Sequence, residues 1–166
     1  MTSFKVNLGH TLLSLLASAA LLGASAVAAN AEVREFHIVT VHYDGKTNVK
    51  GDATHKPEAF PETPLASTKG MWVKEPSENG DWRVRAFVFD PAEVTVQQGD
   101  EVHLNFVGVH GGSHTIGVQG VSEPVVVKRG TVQTVSFKAE TSGIVTFTCS
   151  DHPPSMRGQV VVLPKH

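Results

Sequence analysis

The chain has 166 residues and a net charge of −2 with His neutral, and its Lys and Arg residues form no block. That balance excludes a basic nucleic-acid-binding surface. The single cysteine, Cys149, excludes an internal disulfide.

Lys5 is the only formal charge in residues 1–31. Residues 12–27 are an apolar run of Leu, Ala, Val, Ser and Gly, and Ala29-Asn30-Ala31 is a small-x-small cleavage pattern. These are the three regions of a secretory signal peptide, which predicts export to a periplasmic or secreted location. Cleavage after Ala31 leaves residues 32–166, a length that suits one domain, and moves the net charge to −3. No later segment is apolar for long enough to span a bilayer. A lone Cys in an exported chain points to a special role or to pairing between molecules.

The mature sequence reads as short strands. Residues 36–43 (FHIVTVHY) are rich in β-branched and aromatic side chains, as are 84–89 (VRAFVF), followed by 93–96. Gln98-Gly99-Asp100 is a turn signal, and residues 102–106 alternate cleanly. Residues 125–127 precede the Arg129-Gly130 turn, then come 132–137, the Ser142-Gly143 turn, 144–149 and 159–163. Strands at this spacing, with Gly-containing turns and no helical period, predict an all-β, antiparallel sandwich or barrel. Residues 46–81 stand apart. They carry Pro57, Pro61, Pro64 and Pro76, show little periodicity and are long for a connection inside a compact domain. They read as an ordered insertion packed on the sandwich or as a mobile flap, with Met71-Trp72-Val73 as a possible anchor.

The chemistry concentrates in "CSDHPPSMRG", residues 149–158. Val145, Phe147 and Cys149 share one apolar strand face by period two, so the Cys149 sulfur is directed inward. The bland alternative is a small buried hydrophobe. A loop stiffened by Pro153-Pro154 follows and carries His152 and Met156. One Cys, two His and a distant Met form the ligand set of an electron-transfer copper ion. The second His is His110 or His114 in "VHGGSHTIGV". His114 is favoured because Thr115-Ile116 resume a strand pattern, and His110 is read as an exposed loop residue. His37, His42, His55, His103 and His166 are read as unconnected with a metal, since lone His residues are usually not ligands.

The chain resembles the cupredoxins, the blue-copper sandwich family. The matching stretches are "VTVQQGDEVHLNF", "SHTIGV" and "SGIVTFTCSDHPPSMRGQVVVL", spanning about residues 84–163. The resemblance implies a Greek-key β-sandwich and one copper ion held by His114, Cys149, His152 and Met156. "MRG" is also similar to the copper-A domains of nitrous oxide reductase and cytochrome oxidase subunit II. Those centres need two bridging Cys, so a single Cys149 excludes them. "RAFVFDPAEVTVQQGD" and the short Cys-x2-His-Pro loop also look like nitrosocyanin, a red copper protein. His114 stands where that protein has a Glu, and residues 153–165 contain no His, which favours the blue set.

The function this implies is an electron carrier rather than an enzyme, cycling between Cu(II) and Cu(I) and docking a redox partner such as a cytochrome or a reductase. Two alternatives remain open. One is a nitrosocyanin-like open copper position with Asp151 or Glu123 as a carboxylate ligand. The other is a copper-binding and delivery module.

Overall fold

The computed structural model describes residues 31–63 and 66–165. The leader read in residues 1–31 lies, apart from Ala31, outside the described residues. No helix among the described residues is long and apolar enough to cross a membrane.

Ten strands are arranged in chain order as β1 (Val33–Asn48), β2 (Met71–Lys74), β3 (Asp81–Asp90), β4 (Glu93–Gln97), β5 (Glu101–Gly108), β6 (Ser113–Val118), β7 (Val125–Lys128), β8 (Val132–Lys138), β9 (Gly143–Cys149) and β10 (Arg157–Leu163). They form two five-stranded sheets, ordered β2-β3-β1-β5-β8 and β4-β10-β9-β6-β7. Most neighbours are antiparallel. The pairs β1–β5 and β10–β4 are parallel, as when a long connection crosses from one sheet to the other in a Greek-key sandwich.

The core follows from alternation. Val102, Leu104 and Phe106 of β5 are fully buried, and so are Ile38 on the neighbouring β1 and Ile116, Phe147 and Val160 on the other sheet. Phe89, Phe106 and Phe147 meet edge-on or tilted with ring centroids 5.1–5.7 Å apart. Such aromatic pairs contribute roughly 0.5–1.5 kcal/mol each beyond the area they bury.

Two elements depart from the apolar pattern. β1 runs on to Asn48, because Asp44, Lys46 and Asn48 pair with Arg85, Arg83 and Asp81 of β3. Asp44 binds both arginines, which ties the paired ends of β1 and β3 into an arm beyond β5. The stretch between those strands, within residues 46–81, packs on the arm. β2 adds an antiparallel edge to β3, and the Trp82 indole N–H donates to the Glu58 carbonyl at 3.1 Å.

The turn read at Gln98-Gly99-Asp100 carries a buttress. The Asp100 carboxylate, 2 % exposed, accepts hydrogen bonds from Gln97 N, Glu32 N and Arg34 Nε. The Gln97 N–H, helped by Glu32 N–H and Arg34, holds its acidity stronger than that of an ordinary carboxyl, against the opposing effect of burial. A depressed folded value contributes stability above the ordinary carboxylate pKa of about 4 and loses it as pH falls through the folded value. Asp100→Asn should therefore destabilise the protein by about 1–3 kcal/mol at pH 7. Denaturant unfolding should show the gap to wild type shrinking below pH 4; a pH-independent gap would rule out the carboxylate charge as its source.

Candidate metal centre

Register brings the chemistry-bearing residues to one end of the sandwich. β6 and β9 pair through Ile116↔Cys149. His114 lies two residues beyond Ile116 on the same inward face and is fully buried. The strand pattern read from Thr115-Ile116 begins earlier: Gly111 and Gly112 lie in the bend before β6, and His114 itself belongs to the strand. Cys149, 2 % exposed, ends β9 with its side chain inward.

The loop after Cys149 folds back over this end. Ser150 N donates to the Thr115 carbonyl at 3.0 Å, and Thr115 N donates to Asp151 Oδ2 at 2.7 Å, so the first turn is pinned to β6. Cys149 N donates to the Met156 carbonyl at 3.0 Å, and Met156 N donates to the His152 carbonyl at 3.2 Å, which closes the loop. His152 is thereby held over Cys149, half-buried. The Met156 side chain is 1 % exposed and belongs to the same buried cluster as Cys149.

Three donor atoms converge. Cys149 Sγ lies 3.8 Å from His114 Nδ1 and 3.5 Å from His152 Nδ1, and the two nitrogens are 3.2 Å apart. The point equidistant from all three lies about 2.0 Å from each, close to the bonds a first-row ion makes to imidazole and thiolate. Among the described residues, this is the cluster of three His, Cys, Asp or Glu side chains able to hold a metal ion. The sequence-read residues His114, Cys149 and His152 thus meet, with Met156 buried at the end of their loop.

The hydrogen bonds around the cluster set its protonation. His114 Nε2 lies 2.6 Å from the His110 carbonyl oxygen. A carbonyl only accepts, so Nε2 carries the proton and Nδ1 turns its lone pair toward Cys149. Burial, then the neighbouring His114, lowers the pKa of His152, with Asp151 opposing. His152 is therefore neutral at pH 7. Burial pushes the Cys149 thiol up, while backbone N–H groups of Asp151, His152 and Thr115 pull it back. Two nitrogen lone pairs at 3.2 Å repel unless a proton or a cation lies between them. The donor set, two imidazoles and a thiol, suits a soft or borderline transition metal.

His110 differs from its sequence reading. It is half-buried rather than exposed, stacked on His42 with ring centroids 4.2 Å apart. Its Nδ1 accepts from His42 N at 3.2 Å and its own N donates to the Thr40 carbonyl at 2.9 Å. Strand pairing across 68 residues makes these contacts, so no local pattern announced them. Gly111 follows with φ +83°, and a Cβ there would come within 2.8 Å of His114 Nε2. The carboxylates considered as alternative ligands do not join the cluster: Asp151 is engaged by Thr115 N with Oδ2 4.0 Å from Cys149 Sγ, and Glu123 is exposed after β6.

A family model described as cupredoxin-like domain matches residues 73–162, more than half of the chain. Among solved structures, a copper nitrite reductase from Nitrosomonas europaea superposes with a TM-score of 0.50 at 18 % identity, over 81 % of this chain and 42 % of its own. A multicopper oxidase gives 0.49 at 17 % identity over 80 % and 43 %. The multicopper oxidase mgLAC gives 0.46 at 22 % identity over 82 % and 40 %. The chain spans less than half the length of each, and at these identities the likeness is one of fold. No curated protein matches the sequence.

Proposed function

Because this chain belongs to the cupredoxin-like domain family, we propose that it is an exported protein that would bind one copper ion through His114, Cys149 and His152, with Met156 as a weak further donor, and passes single electrons between redox partners. The convergence of two imidazole nitrogens and one sulfur within 3.2–3.8 Å carries this reading. Copper would supply a one-electron Cu(II)/Cu(I) couple.

The residues do the rest. His114 is fixed from behind by the His110 carbonyl and by the absence of a Cβ on Gly111. Cys149 is fixed by its strand and by the Met156 carbonyl. Donors set by the scaffold need little rearrangement when one electron arrives or leaves, which favours rapid transfer over bond-making chemistry. His152 lies on the exposed side of the cluster, beside the exposed Pro153 and Pro154. Its ring edge is the exit for the electron, and this face would dock a cytochrome or a reductase. The signal-peptide pattern in residues 1–31 supports a periplasmic or secreted setting for the exchange.

Absorption and electron paramagnetic resonance spectra of the copper-loaded protein test the reading. A strong thiolate-to-copper band with a narrow copper hyperfine splitting is expected; a weak, cysteine-independent spectrum would reject it. Met156→Leu should keep the colour and raise the reduction potential, because losing a weak donor costs the oxidised ion more. Folding should change little, since the two side chains have similar volumes. Voltammetry showing an unchanged potential would remove Met156 from the ligand set.

A further inference from the structure

Phe87 and His42 are direct cross-strand partners on the β1–β3 arm. Their rings contact edge-on at 5.6 Å between centroids. Phe87 faces the histidines of the cluster, which belong to the other sheet and its loop, while His42 faces His110. Phe87 stacks on the His152 ring with centroids 4.0 Å apart and planes 29° from parallel. It also meets the His114 ring edge-on at 5.8 Å. His42 stacks on His110, whose carbonyl receives the His114 Nε2 proton. One cross-strand pair thus stands behind both imidazoles.

The consequence differs for the two rings. His114 is buried on a strand and held by a hydrogen bond of 2.6 Å. His152 is on a loop, half-exposed, and its Nδ1 has only the other cluster atoms as partners. Without a wall on its far side, rotation about its side-chain bonds would carry Nδ1 away from the sulfur. Phe87 is that wall. We propose that Phe87 is a positioning residue, which holds the His152 ring in ligand orientation before any metal arrives and slows its departure afterwards. The second half of this inference rests on the copper reading above.

The test compares Phe87→Leu with Phe87→Tyr, and uses Phe87→Met if the Leu variant does not fold. Carbon relaxation of the His152 ring in the metal-free protein reports its order, and transfer of Cu(I) to a chelator reports its hold. Phe87→Leu should leave the His152 ring disordered and speed copper release roughly three- to tenfold, the range expected from losing one stacked pair. Phe87→Tyr, which keeps a ring at the same place, should restore both. A Leu variant with an ordered ring, or with an unchanged release rate, overturns the proposal, as does a Tyr variant that behaves like Leu. Wild-type protein that takes up copper without a thiolate band would overturn the copper reading instead, leaving the brace to be decided by ring order alone.

Discussion

Cys149→Ser is expected to abolish the visible colour of the copper-loaded protein and to weaken Cu(I) binding at least ~100-fold, beyond the usual cost of losing a group that merely supports a ligand. The sulfur sits 3.5–3.8 Å from both imidazole nitrogens and is almost fully buried. Burial makes its proton harder to lose, so a bound cation must displace it, and a thiol yields that proton far more readily than a hydroxyl. A serine oxygen is also harder and shorter-reaching, a poor match for a soft ion between two imidazoles. The fold should survive, because the hydroxyl is smaller than the thiol and the backbone hydrogen bond from residue 149 to the Met156 carbonyl is untouched. A stability loss of about 1 kcal/mol in the metal-free protein is expected. Spectra, chelator competition and thermal melts on the same preparation separate the effects. Full colour in the Ser variant would mean the copper sits elsewhere.

The extent to which this centre is legible in sequence follows from how each contact is made. Cys149 and His152 are three residues apart at the end of an alternating strand, so chain connectivity alone brings them together. His114 is readable because Thr115-Ile116 resume a strand pattern, and the register Ile116↔Cys149 then fixes where it lands. The supporting residues have no such signal. Phe87, His42 and His110 reach the site from the other sheet or its connection, and their places depend on a long-range β1–β3 register that no local pattern sets. The outer part of β1 is equally silent: the strand pattern reads only as far as residue 43, yet pairing with β3 keeps Asp44, Gly45 and Lys46 extended. β2 is too short, at four residues, to stand out against the prolines around it.

Gly70→Ala is the second change with a large expected effect, and it tests whether the segment between β1 and β3 holds the cluster. Gly70 is buried between β3 and the loop that carries His152. Its N–H donates to the Pro153 carbonyl at 3.1 Å, and its own carbonyl accepts from Phe87 N at 2.8 Å. One residue therefore links the loop of the cluster to the strand that bears Phe87. A Cβ on it would fall inside contact distance of the His152 carbonyl group and Ser155 Oγ. The hydroxyl is the minor obstacle, since Ser155 Oγ has no hydrogen-bond partner to lose. The carbonyl is backbone and cannot rotate away, so either the link or the loop must move. Overpacking of this kind costs about 1–3 kcal/mol, which predicts a melting point lower by roughly 2–10 °C for a chain of this size. Because the displaced atom belongs to His152, the copper spectrum should change as well, with a shifted or broadened thiolate band. Adding Ser155→Ala should not rescue either property, since the carbonyl clash remains. A Gly70→Ala protein with a normal melting point and spectrum would show that the segment lies on the loop without holding it, and the constraint on His152 would then rest on Phe87 and the hydrogen bonds within the loop.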